Sequence, residues 1–487
     1  MPSSARELSD KQALAKKMLP KKSFLIDILK DSPTVLSKEA MIPRYQKITT
    51  YKKRRQKLAQ ATLHANTDLI VYFNTTEKIR NYDTHYLYRG DSSFLYMTGF
   101  PESHSAFFLS KTSKSLHFSM FTQNRDPSME QWNGRRYGPE GAKKHFGADS
   151  AFKIEDLEKQ FLTWMASHKA GARVRILTNA LHAPELRTQL YKLLDAYKAN
   201  LRKNSARIVA IEDVGPAIQE LRLQKDAEEL RTMKRAALIS ADAHTRALKV
   251  LKPGLFEYEI QAEIESEFAR NGALPSYNSI VASGPNATIL HYNSNNRKMQ
   301  DGELLLIDAG CELEYYASDI TRTFPVSGKF TREQRNIMDI VAEAHKEAIL
   351  IARKGLPYPK IHESSETVLI EGLRSLKLLK GSVKDIRAKA SHKRYFPHGT
   401  GHWLGLDVHD ECPYVNAKGE AIKLQPGMVF TVEPGLYFLP EDKTVPAAYR
   451  GIGVRIEDDV VVQPKGSAQI ITGDGPRYAA EIEKFMK

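Results

Sequence analysis

The sequence predicts a two-domain chain of the α+β class, an α/β domain followed by a larger domain of mixed sheet and helix. Three observations predict it. At 487 residues the chain exceeds what one hydrophobic core usually organises. Short β-branched and aromatic runs alternate with helix-forming stretches along most of its length. A helix-forming segment without internal breakers, 216–253, separates the two halves.

Residues 1–42 are polar and lysine-rich, with Pro20, Pro33 and Pro43 interrupting short helical pieces, and they read as a basic N-terminal extension. From Pro43 the texture changes. RYQKITTYKKRRQKLAQATL is expected to be a helix, and DLIVYFN a buried strand. SFLYMTGF, SAFFLS and SLHFSMFT read as further strands, and IEDLEKQFLTWMASH as a helix, so 43–215 is expected to form the α/β domain. One continuous helical segment is expected from Pro216 to the Pro253-Gly254 stop. The remainder, 254–487, alternates helices such as EYEIQAEIESEFARNG with carboxylate-bearing strands. No repeat with a period of 20 to 50 residues and no low-complexity tract stands out.

The net charge is +14, yet basic and acidic residues are interspersed and no helix-turn-helix, zinc-finger or RNA-recognition signature accompanies them. A solvated basic surface is the expectation, and nucleic acid is not an expected partner. The only cysteines are Cys311 and Cys412, too few for a disulfide framework and suited to a reducing compartment. Cys311, three residues from Asp308, reads as a buried inert thiol. No apolar run approaches the ~18 residues of a membrane span, and the N-terminus lacks the apolar stretch of a signal peptide. Glu7, Asp10, Asp27, Asp31 and Glu39 also argue against a transit peptide. A cytoplasmic location without membrane contact is expected.

The last third carries the chemistry. Asp308 and Asp319 lie in IDAGCELEYYASDITRTFP, His402 in HGTGHWLGLDVHD, Glu433 in MVFTVEPGLYF and Glu457 in GVRIEDDVVV. Four of the five fall in strand-like runs, where an unpaired carboxylate is expensive. Two divalent ions would balance four carboxylates and leave one neutral imidazole as a ligand, so a binuclear metal hydrolase is expected. ELLLIDAGCEL and YYASDITRTFPV read as two strands joined by a short turn, placing Asp308 opposite Asp319. Aspartates near strand ends also serve as turn or cap residues, so this pair alone decides little. Arg455 and Glu457 share a strand face, consistent with an arginine that orients a ligand or with an ordinary ion pair.

His398, His402 and His409 are interleaved with Gly399, Gly401 and Gly405, which argues for an irregular loop close to a ligand rather than a helix. The pattern is not HExxH, which disfavours a single-zinc mechanism. Oxygen-dominated ligation favours manganese, with cobalt, magnesium and zinc as alternatives. His291 ends a strand-like run 17 residues before Asp308 and by itself reads as a turn-proximal histidine.

These strings, together with SYNSIVASGPNATILHY, YRGIGVRIEDD, YLYRGDSSFLYMTGF, QWNGRRYG and LRLQKDAEEL, closely resemble aminopeptidase P, the Xaa-Pro aminopeptidase of the pita-bread metallopeptidases. The resemblance implies a C-terminal pita-bread (creatinase/aminopeptidase) domain, catalytic and spanning 254–487, behind an α/β N-terminal domain. It implies that Asp308, Asp319, His402, Glu433 and Glu457 bind two metal ions, with Asp319 and Glu457 bridging. His291, His398 and His409 would line the substrate site, donating to the scissile carbonyl or oxyanion and closing around the proline. Asp83, Arg222, Arg455 and Tyr437 would form a polar relay. Trp132 would reach a neighbouring subunit's substrate site, implying a homo-oligomer, dimer or tetramer. YRGDSS has glycine where many relatives have glutamine, and the 42-residue extension is additional; neither touches an expected ligand.

The implied reaction is release of the N-terminal residue from peptides with proline second. A hydroxide bridging the two ions would attack the first carbonyl, and Glu433 would relay the proton to the leaving nitrogen. An Xaa-Pro bond lacks an N–H and has a fixed φ, so a pocket shaped for the ring replaces the amide grip of ordinary peptidases. The nearest alternative is a prolidase, restricted to Xaa-Pro dipeptides. A methionine aminopeptidase conflicts with the large N-terminal domain, and a metal-free creatinase-like enzyme with the ligand set. A non-catalytic pita-bread binder of peptides or histones typically loses ligands. A further idea makes the basic extension a tether to an acidic surface.

Overall fold

Asp68–Phe73 is buried at all six positions, so both of its faces must be covered. In the computed structural model, which describes residues 46–202 and 205–487, it lies inside a six-stranded sheet. The extension 1–42, and the tether idea attached to it, lie outside the described residues.

The sheet runs Ser150–Lys153, Leu116–Thr122, Ala106–Lys111, Asp68–Phe73, Arg173–Thr178, Arg207–Asp213. Ala106–Lys111 pairs antiparallel with both of its neighbours, and the remaining pairings are parallel. Alternation along the central strand divides its side chains between two cores. Leu69, Val71 and Phe73 face a cluster with Phe161, Leu186 and Leu190 from the Leu157–Ala166 and Pro184–Ala199 helices. Ile70 and Tyr72 face a second cluster that also contains Tyr316, Leu404, Leu406, Val429 and Val461. That second core therefore belongs to both halves of the chain.

Two expected elements differ. SFLYMTGF is not a strand: Ser92–Thr98 is a helix, capped by the Asp91 carboxylate accepting from the Phe94 amide at 2.7 Å and closed by Gly99 at φ 68°. All seven helical residues are buried, so the run is apolar on every side and carries no helical period to recognise. The linking segment is also not one helix. It divides into Gly215–Arg222 and Ala227–Val250. Asp226 starts the second helix with a capping box, its carboxylate accepting from the Glu228 and Glu229 amides while Glu229 accepts from the Asp226 amide.

In the C-terminal half, small antiparallel sheets pack against the Ala227–Val250, Glu257–Arg270, Arg332–Ile351 and Pro359–Ser375 helices. Leu304–Asp308 is the middle strand between Ile280–Ser283 and Thr321–Pro325, and Val429–Val432 pairs with Asp458–Val461. An isolated bridge, Thr321 to Glu457, joins these two sheets and sets their ends side by side.

Candidate metal centre

The expected hairpin is a two-tier one. Asp308 faces Thr321, not Asp319, across the outer ladder, and an inner hairpin, Cys311–Leu313 with Tyr316–Ala317, is inserted between. Gly310 lies against the Ser318 carbonyl with no room for a Cβ, which lets the strands cross over. Asp319 leaves the ladder there and turns toward Asp308. The Tyr277 hydroxyl lies between them, 2.6 Å from Asp308 Oδ1 and 2.5 Å from Asp319 Oδ1. A phenol has one proton, so it can satisfy only one of two ionised carboxylates at a time.

Glu457 enters through the bridge. Its amide donates to the Thr321 carbonyl at 3.0 Å, and the Thr321 hydroxyl donates to Glu457 Oε2 at 2.7 Å. Arg455 reaches Asp308 Oδ2 at 2.5 Å, the Thr321 hydroxyl at 3.0 Å and the Tyr437 hydroxyl at 2.9 Å. It therefore orients Asp308 directly and meets Glu457 only through Thr321.

His402 Nε2 lies 3.5 Å from Asp319 Oδ2 and 3.5 Å from Glu433 Oε1. Its Nδ1 faces the Trp403 carbonyl at 3.1 Å. A carbonyl only accepts, so Nδ1 carries a proton, and Nε2 faces the carboxylates, donating to them while the ring is charged and free to offer its lone pair to an ion once that proton is lost. Asp319, His402 and Glu457 offer ligand atoms within 4.8 Å of one another.

Electrostatics show a shortage of positive charge. Burial pushes Asp308 up against the pull of Arg455, and burial with the Asp319 charge raises Glu457 well above the carboxylate range. Burial raises Glu433 to about 7. Burial opposes a charged His402, but Asp319 and Glu433 outweigh it and lift the imidazole to about 9. The same imidazole and the Tyr277 hydroxyl overcome burial at Asp319 and hold it low. The cluster retains protons that cations would displace, and its oxygen-rich donors with one imidazole fit divalent ions.

The sequence-selected histidines gather here. His398 lies beside Glu433, with Nδ1 3.7 Å from Oε2. Its Nδ1 donates to the Gly399 carbonyl at 2.7 Å, and its Nε2 accepts from Tyr437 at 2.9 Å. His409 packs against His402, with ring centroids 4.1 Å apart and the planes tilted by 53°. His291 is exposed, yet near enough to bear electrostatically on both His398 and His409.

The expected relay is not assembled. Arg455 and Tyr437 are bonded within the site, but Arg222 bonds Ser93, Asp407 and Asp410 instead. Asp83 is exposed at the turn of the Ile79–Asn81 and Thr84–His85 hairpin, and among the described residues it has no hydrogen bond or ion pair. A half-buried aspartate, Asp91, follows in the YRGDSS string; it caps a helix and lines a cleft with Arg222. Trp132 is 84% exposed on the Pro127–Asn133 helix. Sequence reading also passed over Tyr277, Thr321 and Asp459. Asp459 accepts from the Asp319 amide at 3.2 Å, and only its place in the IEDD run signalled it.

Buried carboxylates converging on one imidazole where the sheets join define a metal-dependent hydrolase centre, and residues 231–464 match Metallopeptidase family M24. Residues 51–172 match the Aminopeptidase P N-terminal domain. Xaa-Pro aminopeptidase of Escherichia coli is 40% identical over 445 residues, covering 90% of this chain and 97% of that one. Intermediate cleaving peptidase 55 of Arabidopsis thaliana is 31% identical, covering 90% and 83%. The structure of Pseudomonas aeruginosa aminopeptidase PepP superposes with a TM-score of 0.86 at 39% identity, covering 91% of this chain and 99% of that one. The chain thus belongs to the aminopeptidase P family, with its N-terminal domain and a C-terminal pita-bread domain.

Proposed function

We propose that this chain is a metal-dependent Xaa-Pro aminopeptidase, releasing the first residue of peptides whose second residue is proline, at a site held by Asp308, Asp319, His402, Glu433 and Glu457. The observation that carries it is the convergence of these five groups with too little positive charge to balance them. Divalent ions bound there would acidify a water and polarise the scissile carbonyl. Glu433, whose carboxylate lies beside His398 and His402, is suited to take a proton and return it to the leaving nitrogen. Arg455 holds Asp308 in place and, by donating to Tyr437, turns the Tyr437 proton toward His398. Burial first and the nearby Arg455 charge second keep His398 neutral, and with His291 and His409 it forms a wall suited to a proline ring.

A cleft of about 900 Å³ between the two halves favours the aminopeptidase over a prolidase. It is bounded by Asp91, Ser93 and Arg222 on one side and by His409 on the other, so it opens onto the histidine beside the centre. That volume is near the top of the ~300–1,000 Å³ range of small-ligand pockets and accepts more than a dipeptide.

The oxygen-rich donor set favours manganese; a Zn-substituted form is described for the E. coli enzyme. Exposed Tyr82, Leu87 and Trp132 support a homo-oligomer in which Trp132 serves a neighbouring chain. Two free, buried cysteines support a reducing compartment such as the cytoplasm. Among the described residues no helix is long and apolar enough to cross a membrane.

The test is hydrolysis of Arg-Pro-Pro and of Arg-Pro after chelation and return of Mn2+, with Asp319→Ala as control. Metal-dependent release of arginine from the tripeptide is expected. Cleavage of the dipeptide alone would make the chain a prolidase, and no cleavage would leave a peptide-binding protein.

A further inference from the structure

The helix break at 223–226 contains neither glycine nor proline, so a local breaker does not explain it. What fills the break is Lys225. Its amide donates to the Gly427 carbonyl at 2.9 Å, and its ammonium, 1% exposed, donates to Asp410 Oδ2 at 2.9 Å. Arg222, from the last turn before the break, bonds the other Asp410 oxygen and also Asp407 at 2.6 Å and Ser93 at 3.0 Å. Two cations from the linking segment thus grip one buried carboxylate in the glycine-rich loop.

That carboxylate is one step from the metal centre. The Asp410 amide donates to the Trp403 carbonyl at 2.9 Å, the same carbonyl that accepts from His402 Nδ1 at 3.1 Å. Asp410 also directly follows His409. Gly405, midway round the loop, is so close that a Cβ there would collide with the Asp410 carboxylate and lie 3.0 Å from Lys225 Cε. Buried ion clusters of this kind are weak stabilisers compared with apolar packing, so their use needs another reason.

We propose that Lys225 and Asp410 are positioning residues for the metal centre: Lys225 anchors Asp410, whose amide fixes the Trp403 carbonyl that orients His402. The linking segment then sets the ligand geometry from outside the catalytic sheets. This rests on the metal site proposed above.

Calorimetric titration of Mn2+ into the metal-free chain tests it, alongside thermal melting and tripeptide kinetics. Lys225→Met is expected to weaken Mn2+ binding about ten- to a hundredfold, the range for loss of an outer-shell partner. Asp68→Asn, which breaks a buried pair with Arg175 in the N-terminal sheet, should lower the melting temperature but leave Mn2+ affinity and kcat unchanged. The double variant Lys225→Met/Asp410→Asn strands no charge and carries the test if the single variant does not fold. It should regain melting temperature without regaining Mn2+ affinity. Parental affinity in Lys225→Met, or recovery of affinity along with stability in the double variant, would overturn the proposal. A parent chain that binds no Mn2+ would instead overturn the metal site itself.

Discussion

The two halves of this chain fill their interiors in opposite ways. In the N-terminal sheet the core is aromatic: Tyr72 stacks on Phe107 at 5.2 Å, and Phe94 and Phe118 pack at 5.6 and 5.8 Å from the same ring. At Asp68, buried at the start of the Asp68–Phe73 strand, an arginine answers the carboxylate at 2.6 Å. The catalytic half places Asp308, Asp319, Glu457, Asp458 and Asp459 in its interior. Arg322 neutralises Asp458 and Arg455 braces Asp308, but among the described residues Asp319, Glu457 and Asp459 have no such guanidinium partner. The difference teaches that one interior derives its stability from apolar area, while the other holds charge that its own side-chain cations leave unbalanced.

The largest expected effect comes from breaking that second interior. Glu457→Gln should lower kcat/KM by more than the roughly 100-fold of an outer-shell loss. The metal-free variant should melt no lower than the metal-free parent, because burial already favours a neutral Glu457 and the amide is neutral too. A variant that melts several degrees lower without metal would erase the contrast.

In the N-terminal half the pattern should invert. Phe107→Ala should destabilise the fold by about 3–5 kcal/mol in denaturant titration. Activity per folded molecule should be unchanged.

Metal removal sharpens the comparison from the other side. With free metal at about 100 times its dissociation constant, chelation should remove about 2.7 kcal/mol of stability. Since the cluster holds protons that the ions displace, calorimetry in buffers of different ionisation enthalpy should show proton release, and affinity should weaken as pH falls. Uptake without proton release would mean that the carboxylates are already ionised.

The smallest effect tests a buried carboxylate in the N-terminal half. Burial pushes Glu102 up to about 7 from the ordinary 4.5, so the folded chain binds this proton more tightly than the unfolded one. Stability from this group is complete below about pH 4.5 and is lost as pH rises toward 7. Glu102→Gln should match the parent at pH 4 and exceed it at pH 8 by about 2 kcal/mol, at 1.36 kcal/mol per pKa unit with allowance for partial exposure. Equal melting temperatures at both pH values would contradict the shift.

Much of the site was legible because its residues sit in strings whose chemistry is distinctive in one dimension: a carboxylate inside IDAG, a histidine between glycines. What was illegible depended on contacts distant in sequence. Asp83 and Asp91 look equally eligible along the chain, and only packing shows that the second is half-buried at a helix cap while the first sits at an exposed turn. Tyr277 lies 31 and 42 residues from the two carboxylates it joins, and an isolated tyrosine gives no sign of it. SFLYMTGF misled because a short, wholly buried helix has no polar face. The break before Asp226 did leave a trace, the capping-box pattern DAEE, which outweighed the helical propensity on either side.

The core shared across the halves has a consequence for how the chain is made. Leu404, Leu406, Val429 and Val461 of the catalytic half are covered in part by Ile70, Tyr72, Phe94 and Met97 of the other. A ribosome finishing the first half releases a sheet whose second face is covered in part by its own Ile48–Thr62 and Gly138–Phe146 helices, and the core there is completed only by sequence that emerges later. Dividing the gene at the linking segment would leave part of that shared core uncovered on each fragment.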